Sequence, residues 1–191
     1  MAVHKPVTRK GIYFITFTSY KWLSLIDIVN GYDLVYNWFD VISGKGNTVT
    51  GFVIMPNHLH LLLHYIGGSQ SLNTIVGNGK RFMAYDIIER LECQGEDRLL
   101  SKLKSGVQPH ERKRGKKHKV WESAFDAKEC RTEKFVLQKL NYIHNNPCKG
   151  KWMLADTSIH YYHSSASFYI TGKMGGYPVK DYREFLDYGV D

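Results

Sequence analysis

An α+β chain built around one antiparallel sheet is what this sequence predicts. Short runs rich in β-branched and aromatic residues alternate with stretches whose apolar residues recur at helical spacing, in the order β-α-β-β-α-β-α. The segment "GIYFITFTSY" (11–20) sets Tyr13, Ile15 and Phe17 against Phe14, Thr16 and Thr18 and is read as a strand. From about Gly31 to Val41, the positions of Leu34, Val35, Trp38 and Val41 predict a helix, which "SGKGN" ends. Two strands follow, "TVTGFVIM" (48–55) and "HLHLLLHY" (58–65), joined at "PN", a turn dipeptide whose proline has no amide hydrogen for a ladder; they form a hairpin.

Ser71 caps the next helix, which carries Leu72, Ile75, Val76, Phe82, Met83, Ile87 and Leu91 on its apolar side. Gly77 and Gly79 each cost that helix about 1 kcal/mol relative to alanine, so its middle is expected to be closely packed, bent or in contact with a ligand. A basic stretch with Gly106, Pro109 and Gly115 reads as a loop or insertion, and "KVWESAF" (119–125) as a further strand. Thr132 caps a last helix, "EKFVLQKLNYIHNN", which stops at Pro147. The first six elements match the split βαβ, ferredoxin-like arrangement, an antiparallel sheet with two helices on one face and the other face free. To this the tyrosine-bearing C-terminal helix is added. A single domain is expected over 1–191, with a core of about 11–150, a basic insertion at about 101–119 and a C-terminal extension at about 151–191.

With 191 residues, 43% apolar and 14% aromatic, the chain can bury a substantial core, and disorder is excluded. No apolar run approaches the roughly 20 residues of a membrane helix, and nothing near the N-terminus reads as a secretory signal. Cys93, Cys130 and Cys148 form no CxxC pair and fit a reducing compartment, so a cytoplasmic protein without a membrane partner is expected. The formal net charge is +8, concentrated between Lys102 and Lys119. There Lys102, Lys104, Arg112, Lys113, Arg114, Lys116, Lys117 and Lys119 face Glu111 alone. A basic run is often just a solvated loop, but excess charge confined to one short segment points to a polyanion, with nucleic acid foremost. Lys80 and Arg81 are further candidates for backbone contacts, whereas Trp121 and Trp152, which could stack on unpaired bases, are read as core.

The run "GFVIMPNHLHLLLHY" (51–65) sets His58 and His60 two apart among aliphatics. In a strand, side chains two apart share a face about 6 to 7 Å from one another, so both imidazoles look one way while Leu59, Leu61 and Leu63 look the other. A buried histidine is ordinarily satisfied by backbone or water. Two on one face are equally suited to ligating a divalent ion, but as a half-site that needs another ligand from elsewhere. His64 and His144 are read as structural. On the last helix Val136, Leu140 and Ile143 form the apolar stripe, with Tyr142, Asn146 and Lys139 near its margin. Tyr142 and Asn146 can then reach one point.

Here the chain resembles a known family. "VIMPN" followed by His58-Leu59-His60 resembles the His-hydrophobe-His motif of single-tyrosine HUH transposases, and "YIHNNP" (142–147) the tyrosine motif of the REP-associated tyrosine transposases. The likeness continues through "VWESAFDAKE" and "YYHSSASFY" (161–169), nearly the whole chain from the first strand to about Tyr169. Asn146 stands where insertion-sequence members have glutamine, which favours the REP-associated branch. The resemblance implies a metal-dependent single-stranded DNA endonuclease and strand transferase, acting in DNA recombination and transposition through a covalent phosphotyrosine. In that scheme His58, His60 and Asn146 hold Mg²⁺ or Mn²⁺, and Tyr142 is the nucleophile. The partner is single-stranded or hairpin DNA, with a homodimer left open. Deprotonating a phenol at pH 7 costs roughly 4 kcal/mol, and Lys139 is the candidate cation to ease it. Two rivals stand beside this reading: a hairpin-binding protein that lacks chemistry, and a metal phosphodiesterase in which water attacks.

Overall fold

A computed structural model describes residues 6–150 and 152–186. Four strands, β1 (Gly11–Thr18), β2 (Thr48–Met55), β3 (His58–Tyr65) and β4 (Asp126–Glu129), form an antiparallel sheet in the order β2-β3-β1-β4. The helices are α1 (Leu25–Ile28), α2 (Tyr32–Ser43), α3 (Leu72–Cys93), α4 (Asp97–Ser105), α5 (Pro109–Arg112), α6 (Glu133–Asn145) and α7 (Ala166–Thr171). Both β2 and β3 run over the residues the sequence assigned to them, and β1, α2, α3 and α6 lie close to expectation. The two capping assignments hold: Ser71 Oγ accepts from the Thr74 amide and Thr132 Oγ1 from the Phe135 amide.

One sheet face carries Tyr13, Ile15, Phe17, Phe52, Ile54, Leu59, Leu61 and Leu63, buried against α2 and α3. The alternation of β3 therefore directs its leucines into the larger core, as its period of two requires. The opposite face is not left free. There Ile12, Phe14, Val53, Met55 and Leu62 pack against Val136, Leu140 and Ile143, so α6 docks on the face that holds the histidines. Gly51 permits the approach, since a Cβ on it would stand 2.6 Å from Leu140 Cδ2.

Two local expectations are corrected. The segment 119–125 is not a strand; only Trp121 bridges to Ser19, and the edge strand lies just beyond, at Asp126–Glu129. The reason is its attachment to α3: the Trp121 indole N–H donates to the Lys80 carbonyl at 2.7 Å, and its ring meets Phe17 edge-on at 5.2 Å. The basic stretch is not simply a loop either. Its start continues α4, whose Leu103 is buried, and Pro109 opens the single turn of α5 behind a Gln108/Glu111 capping box.

The C-terminal chain closes the β2 edge. The Ile54 amide donates to the His163 carbonyl at 2.9 Å, Ser165 N to Phe52 O at 3.0 Å, and the Tyr169 hydroxyl to Thr50 O at 2.6 Å. At the other edge β4 is four residues long and carries Asp126, Lys128 and Glu129, a short charged edge that discourages further pairing. Among the described residues, no helix is long and apolar enough to cross a membrane.

The two α3 glycines give a paired stability prediction. A methyl group on Gly79 would run into the Trp38 indole, whereas at Gly77 it would meet nothing within 4 Å. Gly79→Ala should lower unfolding free energy by about 1–3 kcal/mol through overpacking. Gly77→Ala should raise it by about 0.5–1 kcal/mol through helix propensity, both read from urea denaturation midpoints.

Candidate functional site

The site forms where the start of β3 meets the last turn of α6. His58 and His60 are buried, and their ring centroids lie 4.7 Å apart. Each uses Nδ1 for a second residue: His58 Nδ1 lies 2.6 Å from Asn57 Oδ1, and His60 Nδ1 lies 2.7 Å from Thr16 Oγ1. The amide oxygen of Asn57 can only accept, so His58 carries its proton on Nδ1 and presents Nε2 as a lone pair. Among the described residues, His60 Nε2 is buried with no hydrogen-bond partner. A buried nitrogen left without a partner is costly unless something else engages it, and a carbonyl or hydroxyl behind Nδ1 is the usual support of a metal-ligating imidazole.

Tyr142 reaches this point from the same chain. Its ring centroid is 4.9 Å from that of His60 and 6.0 Å from that of Phe14, while 51% of the residue remains exposed. Asn146 follows α6 as the first residue of a 3-10 turn, and its side chain interacts with the His58 ring. The Lys139 ammonium lies 4.7 Å from the centre of the Phe14 ring and 6.0 Å from that of Tyr142. The geometry thus brings together His58, His60, Tyr142, Asn146 and Lys139. The donors, two imidazole nitrogens and an amide oxygen, fit a divalent ion of intermediate hardness; Mn²⁺ accepts imidazole more readily than Mg²⁺ does. Among the described residues, no group of three or more His, Cys, Asp or Glu is assembled that could hold a metal, so a centre here depends on the asparagine.

Burial dominates the electrostatics. It pulls the His58 pKa down from 6.5 to about 4, partly offset by Asn146. It pulls His60 to about 3, helped by the nearby His58 and by the positive charge of Lys139. Neutral imidazole is the form that can donate a lone pair, so the site is set for ligation throughout the neutral range. His144 and His64 are structural in placement: His144 Nε2 lies 3.0 Å from Ser165 Oγ inside the core, and His64 stacks on Phe185 at 4.3 Å. Trp121 is core, and Trp152 packs partly buried beside α6.

The basic candidates divide. The Lys80 ammonium donates to the carbonyls of Glu122 at 2.8 Å and Ala124 at 3.4 Å, and burial lowers its pKa to about 8, so it holds the 122–124 turn to α3. Arg112 donates to the Val107 and Lys104 carbonyls, Lys116 pairs with Glu111 at 2.7 Å, and Lys119 lies 3.9 Å from Glu122. Lys113, Arg114 and Lys117 are exposed and, among the described residues, make no ion pair. Arg81 is exposed over the Phe82 ring. A cavity of about 840 Å³ opens between α3 and the basic turn, walled by Arg81, Tyr85, Arg114, Lys116 and Lys117. It lies apart from the histidines and tyrosine and belongs to the basic surface.

Three residues at the site were given no role there by the sequence, although Asn57 belongs to the "VIMPN" run. Thr16 and Asn57 act through the Nδ1 contacts, and Trp22 packs edge-on against His58 at 5.7 Å while 60% exposed. Lys21 and Trp22 have φ of 52° and 57°, consecutive non-glycine residues in the left-handed region, a cost on the order of 1–3 kcal/mol each. Nothing in "YKWL" announces such a turn.

No family model matches the chain, and no curated protein matches it. Among solved structures, it is similar to a REP-associated tyrosine transposase bound to a REP hairpin, with a TM-score of 0.63, 15% identity, and coverage of 95% of this chain and 93% of that one. The likeness establishes that the two share a fold. A candidate transposase from Deinococcus radiodurans R1 overlaps 76% of this chain and 97% of its own at 17% identity, with a TM-score of 0.34, too low to bear on the fold.

Acid sensitivity follows from the three buried imidazoles. The unfolded histidines take up protons near pH 6.5, whereas folded His58, His60 and His144, lowered to about 4, 3 and 4, do not. The unfolded state therefore binds more protons below pH 6.5, and stability falls as pH falls. Between pH 6.5 and 5 each should remove about 1.5 kcal/mol, measurable as a drop in urea midpoint of the metal-free protein.

Proposed function

We propose that the protein is a single-tyrosine HUH-type DNA nicking and joining enzyme, a metal-dependent endonuclease and strand transferase that acts on single-stranded or hairpin-bearing DNA. The observation that carries the reading is the approach of the Tyr142 ring centroid to 4.9 Å from that of His60, beside a buried His60 Nε2 with no hydrogen-bond partner among the described residues. The shared fold with a hairpin-bound tyrosine transposase supports it from a separate direction.

In this scheme the Tyr142 hydroxyl oxygen bonds to the phosphorus as the bond from phosphorus to the 3′ oxygen breaks. The phenol proton leaves to solvent and the departing 3′ oxygen takes one up. The cut 5′ end stays on the protein as a phosphotyrosine, and attack by another 3′ hydroxyl joins a new strand and restores the phenol. His58, His60 and Asn146 would hold Mg²⁺ or Mn²⁺, which supplies charge neutralisation at the phosphate and at the leaving oxygen. Thr16 and Asn57 orient the two imidazoles, and Lys139 offsets the negative charge that develops on the phenol. Half-exposed Tyr142 is open to an incoming strand.

With a labelled hairpin oligonucleotide and Mn²⁺, the wild type should form a denaturation-resistant protein-DNA adduct and Tyr142→Phe none. An adduct persisting in that variant would refute the assignment, and turnover without any adduct would favour attack by water. Thr16→Val removes the oxygen behind His60 and should weaken Mn²⁺ binding by about 10–100-fold in calorimetry, with adduct formation recovered at saturating metal. Arg114→Glu and Lys117→Glu should weaken hairpin binding across sequences. Each should reduce the slope of log affinity against log salt by about 1, as loss of a phosphate contact does.

A further inference from the structure

Trp22 is an exposed indole at the rim of the His58/His60 centre, fixed there by a turn it would not adopt alone. The turn is closed by its own backbone and tied at three points to distant parts of the fold. Tyr20 N donates to Val120 O at 2.7 Å, Lys21 N to Glu122 Oε1 at 2.9 Å, and Trp22 N to Ser19 O at 3.0 Å. The Trp22 carbonyl accepts from Asn57 Nδ2 at 3.0 Å, and the same Asn57 side chain holds His58 Nδ1. One buried amide thus fixes both the imidazole and the indole. Gly106 packs against the Tyr20 ring, where a Cβ would collide with it. Left-handed backbone at two successive non-glycine residues persists only where the surroundings over-determine it, and such sites cluster around function.

The fold gains little from the ring itself. It leaves 60% of Trp22 in solvent, and the indole adds to neither sheet core. Phe82, Tyr85 and Tyr162 are as exposed, but among the described residues Trp22 is the exposed tryptophan or phenylalanine in ring contact with His58 or His60. An open aromatic face beside a phosphate-handling centre is a stacking surface for a base, and exposed Lys21 next to it offers charge to the adjoining backbone.

We infer that Trp22 is the stacking platform for one unpaired nucleobase flanking the scissile phosphate, so that the site selects DNA unpaired at the cleavage position. This rests on the DNA-cleaving reading of the site, and the two are separable by experiment. The probe is the tightest-binding member of a pool of hairpins with randomised unpaired flanks, carrying 2-aminopurine at each unpaired position in turn. One position should be quenched on binding, and the quenching should survive Trp22→Phe and vanish in Trp22→Asn. Asparagine tolerates the left-handed conformation but has no ring. Affinity should fall roughly tenfold in the asparagine variant, the ordinary loss for one stacked base. In the wild-type chain, photo-crosslinking from 5-iodouracil at that position should map to the peptide containing Trp22, which frees the test from variant folding. Quenching indifferent to Trp22, or a crosslink elsewhere, overturns the platform. If adducts form through Tyr142 without Trp22-dependent quenching, the platform fails alone; if quenching depends on Trp22 and no adduct forms, the cleavage reading fails and Trp22 stands only as a base-stacking residue of a binding site.

Discussion

The docking of α6 on the histidine face of the sheet is the constraint on which the site depends. Val136, Leu140 and Ile143 pack against Phe14, Val53 and Leu62, and the missing side chain of Gly51 lets Leu140 come close. That apolar contact sets the rotation of the helix about its axis. Tyr142 then falls at the boundary between packed and open surface, where its ring can touch His60 and still meet solvent. A helix rotated by one residue would carry the phenol roughly 100° away. The hydrophobic stripe is therefore the device that aims Tyr142.

Against that packing the two imidazoles are an expense of stability. Both are buried in their neutral form, and among the described residues His60 keeps a nitrogen without a hydrogen-bond partner. A leucine in place of either would bury no ring nitrogen, but it would leave Thr16 Oγ1 or Asn57 Oδ1 without the imidazole it now meets, so each ring comes with a polar support built for it. The left-handed turn at Lys21 and Trp22 is a second departure from local preference, connected to the first through Asn57. Departures from local preference concentrated at one end of one strand are what a functional centre requires of an otherwise well-packed fold.

Charge is arranged by a different logic. The basic segment is tied down by α4, the α5 turn and the Lys80 and Trp121 contacts to α3, so several of its cations are engaged by carbonyls or by Glu111. Of the exposed cations, Arg114 and Lys117 line a cavity beside α3, away from Tyr142. The exposed cations and the His58/His60 centre therefore occupy separate surfaces.

Local periodicity determined much of this by itself. The strands 48–55 and 58–65, the caps at Ser71 and Thr132, and the sharing of one face by His58 and His60 were all legible, because each depends on residues a few positions apart. The adjacency of Tyr142 and Asn146 on α6 was legible for the same reason. Tertiary structure alone decided that Lys80 holds a turn, that the fourth strand begins at Asp126 instead of Lys119, and that α6 covers the second face of the sheet. It also decided that Thr16, Asn57 and Trp22 surround the imidazoles. These outcomes turn on contacts between residues dozens of positions apart, where competing carbonyls, ring edges and a single glycine's space determine which partner wins.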